Sequence, residues 1–288
     1  MYAQSIIDEK VELTERSLGF RLERHSPSEV DDFAQRLRAA HPREYDQADA
    51  DAAGSASFPF KVAQQSLYAS LCSPTAPKLS REEQRWILNE RHLAVCDAGY
   101  FMSRYFWIKN INNDIIRFPA NSAQRIYFDI ISELELMGVS IEMLINKARQ
   151  LGMSTITAAC ILHRAIFTYG SNATIASSDQ AKTAEMSNMI FLAYDLLPWW
   201  MPPQHTRRVE SDRGMLVFGG QRSQIKLQHG TQTGGISQGT TPTVYHLSEV
   251  AYYNDPESLI EVGLFKAVHP SPKVFGVLES TACGDTGW

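Results

Sequence analysis

From about residue 122 onward, short apolar runs alternate with helix-length segments, and this alternation restricts the chain to a narrow class of folds. Residues 122–137 read as a helix, followed by an apolar strand at 141–145 (IEMLI). A helix at 153–168 is stopped by Gly170, and a strand at 173–177 (ATIAS) precedes a long helix over 179–196, broken by Pro198, Pro202 and Pro203. Residues 215–229 read as a hairpin or two short strands. A glycine-rich loop at 230–241, a strand at 243–247 (TVYHL), a helix starting at Asp255-Pro256 and a strand at 273–278 (KVFGVL) complete the series. Strands separated by helices predict an α/β fold with a mostly parallel sheet covered on both faces. Such sheets bind ligands beyond the carboxyl ends of their strands, so chemistry is expected at those tips.

The first hundred residues read as helical, without a strand-like run. Ser26 and Glu29 form a capping box with Pro27 at the first helical position, ahead of Val30, Phe33 and Leu37 at helical spacing. Ser80 and Glu83 form a second box. The small, polar stretch 47–57 reads as a linker or mobile loop. Tyr100, Phe101, Tyr105, Phe106 and Trp107 crowd one segment, where core or docking contacts compete with base stacking. The predicted division is a helical region at 1–95 and an α/β domain at 96–288. No apolar run of about 18 residues predicts a membrane span, and the N-terminus alternates charge too early for a secretory signal. Cys72, Cys96, Cys160 and Cys283 lie far apart, without metal-ligand spacing, and read as free thiols. The formal charge is -5. Domains that grip a phosphate backbone are usually basic, so any nucleic-acid contact is expected to be local or shared with other domains.

Strand 141–145, the segment Lys147-Ala148-Arg149-Gln150-Leu151-Gly152-Met153-Ser154-Thr155 and the helix after it have the layout of a phosphate-binding loop. The usual pattern is GxxxxGK[ST]. Aligning Gly152 with its second glycine puts Ser154 at the Mg²⁺-binding hydroxyl, Met153 where the lysine belongs and Lys147 where the first glycine belongs. Loop amides and the positive end of the helix supply most of a phosphate cradle without a lysine. The four-carbon stem of Lys147 is long enough to cross the curled loop to β/γ oxygens, and Arg149 can add a cation at the γ-phosphate. A tight strand-to-helix turn carrying two exposed basic residues is the alternative.

Downstream, strand 243–247 ends in Ser248-Glu249. An apolar strand ending in a carboxylate after a phosphate loop is the layout of a Walker B strand, in which the first acid holds Mg²⁺ through water and the second orients the attacking water. Ser248 replaces the first acid as a neutral partner of a metal-bound water, and Glu249 is the candidate for hydrolysis. His246 lies within the strand and reads as a satisfied sheet residue. The next strand runs into Glu279-Ser280-Thr281-Ala282-Cys283-Gly284, a small polar tip able to place hydroxyls against a γ-phosphate and sense its loss. Upstream, Gln124 in FPANSAQ either pairs its amide with an adenine edge or forms a capping box with Asn121.

These segments together resemble the ATPase domain of the large terminase subunit, the motor that packages DNA into tailed-phage and herpesvirus-type capsids. KARQLGMST resembles that family's phosphate loop with the lysine moved to the start, HLSEVA its acidic motif with Ser before Glu, LESTACG its coupling motif and FPANSAQ its adenine-recognition segment. The order agrees from about residue 97 to 284. The resemblance implies a P-loop NTPase of the additional-strand, RecA-like class that uses ATP and Mg²⁺. It implies that Gln124 contacts adenine, Lys147 bridges β and γ, and Arg149 is an arginine finger in cis. Ser154 holds Mg²⁺ directly, Ser248 and Glu249 hold it through water, and Ser280 and Thr281 couple hydrolysis to movement. Arg207, Arg208, Arg213 and Arg222 are candidates for a finger acting across a ring of subunits. The implied partners are double-stranded DNA, a portal protein, a small terminase subunit and further copies in a ring on the procapsid, in the host cytoplasm, with no membrane and no place in the mature virion. Family members carry a C-terminal nuclease, so the chain is expected to be a fragment of a longer protein. Cys283 departs from the family's frequent Asn, and residues 1–95 match nothing in it. A helicase-type motor and a non-hydrolysing assembly module are the competing functions. The first lacks its strand-separating motifs here, and the second draws on Met153 and Ser248.

Overall fold

The computed structural model describes residues 2–40, 79–198, 200–203, 206–209, 214–229 and 241–282. The expected linker at 47–57, the glycine-rich loop over 230–240, Cys72, Arg213, Cys283 and Gly284 lie outside the described residues, as do the side chains of Arg207 and Arg208. The chain divides into two compact units. One comprises Met1–Pro119 with Leu192–Arg207 and Phe218–Gly220, and the other Ala120–Phe191, Arg208–Val217 and Gln221–Trp288.

The first unit begins with helices α1 (Tyr2–Leu18) and α2 (Pro27–Ala40), followed by α3 (Arg81–Cys96) and α4 (Ala98–Tyr105). An antiparallel hairpin of β1 (Trp107–Lys109) and β2 (Ile115–Arg117) follows. Both capping boxes form: Glu29 N donates to Ser26 Oγ while Ser26 N donates to Glu29 Oε2, and Ser80 and Glu83 do the same at α3. Each satisfies amides that the first helical turn leaves unpaired. Val30, Phe33 and Leu37 are buried. So are Tyr100, Phe101, Tyr105 and Phe106, which makes them core residues. The buried Glu90 carboxylate accepts hydrogen bonds from the Tyr100 and Tyr105 hydroxyls and lies 2.6 Å from His25 Nδ1, partners a buried charge requires.

The second unit opens with α5 (Ser122–Leu136), β3 (Ile141–Asn146), α6 (Met153–Phe167), β4 (Asn172–Ser177) and α7 (Gln180–Asp195), whose last residues belong to the first unit. Then come β5 (Thr206–Val209), whose first two residues belong to the first unit, β6 (Met215–Phe218), whose last residue does too, β7 (Ser223–His229), β8 (Val244–Ser248) and β9 (Phe275–Ser280). The helix expected from Asp255-Pro256 winds mostly as a π-helix, Ser258–Leu264. The sheet order is β3-β9-β8-β4-β7-β6-β5. Pairings β3–β9, β9–β8, β8–β4 and β4–β7 are all parallel. This is the α/β, mostly parallel architecture expected, with β9 inserted between β3 and β8.

Burial follows position in the sheet. All five residues of β8 are buried, so both faces of the sheet are covered there, whereas β3 alternates buried or half-buried with exposed residues and leaves Leu144 80% exposed. An edge strand with one covered face alternates in this way. Helix α6 buries Ile156, Ala158, Ala159, Ile161, Leu162, Ala165 and Ile166. Each large aliphatic side chain there contributes about 1.5–3 kcal/mol through removal from water. The loop between β3 and α6 therefore ends on a helix fixed in the core.

Candidate active site

The loop from β3 to α6 is bent by two left-handed residues, Gln150 at φ +63° and Gly152 at φ +68°. It starts where Lys147 N donates to the Ser280 carbonyl at 3.0 Å, tying it to the tip of β9. The Lys147 side chain crosses the loop. Its Nζ lies 3.3 Å from Ser154 Oγ on the first turn of α6 and 3.3 Å from Glu279 Oε1, with 10% of the side chain exposed. Met153 is buried, so the position that usually presents the lysine faces the core. Ala148, Arg149 and Gln150 are exposed, while Leu151 and Thr155 are half-buried. Arg149 makes no hydrogen bond or ion pair among the described residues, so the structure does not bring it onto the Lys147–Ser154 pair.

Gln124 and Asn121 form the capping box of α5, each side chain bonding the other's backbone amide. Gln124 also donates from Nε2 to the Gly152 carbonyl at 2.7 Å, and Asn121 Nδ2 donates to the Leu151 carbonyl at 3.2 Å. The capping reading is thus what the structure displays. Gln124 is 3% exposed with both ends of its amide engaged, and pairing with adenine would have to displace one of these bonds.

At the tip of β8, Ser248 is buried and Glu249 is half-buried, in the left-handed region at φ +59°. The Thr281 hydroxyl donates to Glu249 Oε2 at 3.4 Å, and Ala251 N donates to Ser280 Oγ at 3.2 Å. The segments that follow β8 and β9 therefore touch. His246 is fully buried, but neither ring nitrogen has a hydrogen-bond partner, and Nε2 lies 3.2 Å from Glu279 Oε1.

Glu279 is the residue that sequence reasoning missed. It is fully buried, and its Oε1 accepts hydrogen bonds from Ser154 Oγ and, at 3.0 Å, from Ser248 Oγ. Burial works to raise its pKa, but His246, the Ser154 hydroxyl and the Lys147 ammonium outweigh it and hold the carboxyl at about 2. Oε2 has no hydrogen-bond partner. The available signal was the missing acid at Ser248, which calls for a carboxylate from elsewhere.

The site thus offers two hydroxyls, a buried carboxylate with one oxygen that lacks a hydrogen-bond partner and a lysine, all beside a helix N-terminus. Hard oxygen donors of this kind fit Mg²⁺, which binds through one or two carboxylates together with substrate phosphates. Among the described residues no group of three or more His, Cys, Asp or Glu is placed to cage a metal. No described helix is long and apolar enough to cross a membrane.

No family model matches the sequence, and no curated protein matches it. Among solved structures, the chain is similar to the HK97 bacteriophage large terminase, with a TM-score of 0.51 at 14% identity over 64% of this chain. The match spans 36% of that protein's length. The large terminase ATPase domain of Thermus phage P74-26 aligns at a TM-score of 0.38 and 14% identity, covering 59% of this chain and 72% of that one. The HK97 match covers 64% of this chain, which therefore has the fold of the matched part of a bacteriophage large terminase.

Proposed function

We propose that this chain is the ATP-hydrolysing motor domain of a phage large terminase, driving double-stranded DNA into a procapsid. The observation that carries the reading is the Lys147 ammonium, 3.3 Å from the Ser154 hydroxyl at the start of α6. A cation is delivered to the helix N-terminus from the start of the loop, where the standard motif delivers it from the position of Met153.

In this reading the amides of 148–154 and the positive end of α6 hold the triphosphate. Lys147 neutralises β and γ oxygens, and Arg149, exposed in mid-loop, stabilises charge developing on the γ-phosphoryl. Arginine fingers contribute about a thousandfold or more in rate. Ser154, with Ser248 and Glu249 acting through water, would hold Mg²⁺, and the bound ion supplies charge neutralisation of the β/γ oxygens. Glu249 orients the attacking water. Its left-handed backbone aims a carboxylate from a strand tip at a cost that sites of this kind carry. Thr281, bonded to Glu249, and Ser280, bonded to the segment after it, are positioned to register loss of the γ-phosphate. Arg222, exposed, remains a candidate finger in trans, with Arg207, Arg208 and Arg213.

The same reading assigns a portal protein, a small terminase subunit and further copies in a ring as partners, in the host cytoplasm, with a helical region at 1–95 ahead of the ATPase domain. The test compares Lys147→Ala with Met153→Ala in ATP hydrolysis with DNA present. Lys147→Ala abolishes turnover and Met153→Ala retains most of it. Equal activity in the two variants overturns the relocated lysine.

A further inference from the structure

Resting on the nucleotide reading above, we propose that Glu279 is a positioning residue for the metal. It supplies from β9 the carboxylate that Ser248 leaves out of the acidic motif and acts through the Ser154 hydroxyl.

Topology makes the substitution possible. A side chain reaching from the acidic strand β8 toward the phosphate loop must pass the intervening strand β9. Register puts Glu279 on that path, since it pairs with Ser248 on one side and with Ile145, two residues before Lys147, on the other. In P-loop enzymes Mg²⁺ is held by the loop hydroxyl and by an acid at the end of the acidic strand. Here the loop hydroxyl, Ser154, donates to Glu279, and the serine standing in the acid's place donates to the same oxygen. The function of one acid is thus divided between two strands, with β8 giving a hydroxyl and β9 giving the charge.

Charge and satisfaction point the same way. Ser248 is neutral, so Glu279 is the one carboxylate bonded to Ser154 among the described residues. It is fully buried, and Oε2 has no hydrogen-bond partner. A buried carboxylate oxygen normally accepts bonds, and a water on a metal held at Ser154 is a donor of the right kind. Lys147, paired with Glu279 at 3.3 Å, has the phosphates as its alternative partner. Phosphate arriving would give Lys147 a new anionic partner in place of Glu279.

The test titrates the whole chain with the non-hydrolysable analogue AMP-PNP, in excess Mg²⁺ and in excess EDTA. Wild type binds more tightly with Mg²⁺. Glu279→Gln loses that gain, worth about 10–100-fold for partners that orient metal ligands, and keeps its affinity in EDTA. The double variant Ser248→Asp with Glu279→Gln, which returns the carboxylate to β8, regains the Mg²⁺ dependence. A Glu279→Gln protein with the wild-type Mg²⁺ gain overturns the proposal. So does one that weakens equally in Mg²⁺ and EDTA without rescue in the double variant, which is the signature of a purely structural ion pair. If Glu279→Gln fails to fold, the double variant decides: folded with an Mg²⁺ gain supports the proposal, and any other result overturns it. Wild type without affinity for AMP-PNP in either condition removes the nucleotide reading itself.

Discussion

The Gln124 amide nitrogen donates to the Gly152 carbonyl at 2.7 Å, joining the first turn of α5 to the residue that caps α6. Gly152 sits at φ +68°, and a Cβ there would lie 2.5 Å from Gln124 Nε2. Left-handed backbone costs a residue with a Cβ about 1–2 kcal/mol. The amide cannot easily swing aside, because its Oε1 accepts from Asn121 N at 2.9 Å. Gly152→Ala is expected to lower the thermal midpoint and weaken nucleotide binding. Adding Gln124→Ala removes the clash, so the double variant is more stable than the summed single effects. Strict additivity in denaturant titrations would disprove the coupling.

Gly276 on β9 stands opposite Tyr245 on β8, and the Tyr245 ring crosses over it so that the hydroxyl donates to Glu142 on β3 at 2.9 Å. A Cβ at Gly276 would lie 2.0 Å from Tyr245 Cζ, and that ring is fully buried. Overpacking of this kind costs about 1–3 kcal/mol, so Gly276→Ala is strongly destabilising in chemical denaturation. Tyr245→Phe keeps the ring and loses one hydrogen bond, about 1 kcal/mol. If Tyr245→Phe proved the worse of the pair, the hydroxyl would matter more than the space.

Glu249 has its backbone at φ +59°. Glu249→Gln is expected to bind ATP while turnover falls by about a hundred- to ten-thousandfold, the usual loss with a positioned acid–base group. Glu249→Gly gains backbone ease and loses chain entropy, leaving stability within about 1 kcal/mol of wild type, yet hydrolyses no ATP. Nucleotide binding and single-turnover hydrolysis, measured on the same samples, check both statements.

The Glu279 carboxyl is held at about 2 from an ordinary 4.5. A depressed acid stabilises the fold fully above its unfolded pKa and loses that contribution as pH falls toward the folded value. The stability difference between wild type and Glu279→Gln is therefore expected to be level above about pH 5 and to shrink between about pH 4.5 and 2. Urea titrations across that range measure it. A difference that ignores pH would mean the carboxyl is not held ionised.

Local physics was readable without the fold. The boxes at Ser26/Glu29, Ser80/Glu83 and Asn121/Gln124 need only a side chain and a backbone amide three residues apart, and all three form. Strands expected at 141–145, 173–177 and 243–247 run at 141–146, 172–177 and 244–248, because apolar runs between turn residues have few other uses. The helix after Asp255 was legible as helical but not as π-wound.

Residue order along the chain thus determined the elements, their caps and the turn from β3 into α6, since these depend on contacts within a few residues. Lateral strand order and register were decided only in three dimensions, by which apolar faces bury one another across long separations. That choice inserted β9 between β3 and β8 and set Glu279 beside Ser248, 31 positions away in sequence. No local pattern distinguishes a glutamate at a strand end exposed to water from one buried between two hydroxyls and a lysine. The neighbours that make the difference come from other strands.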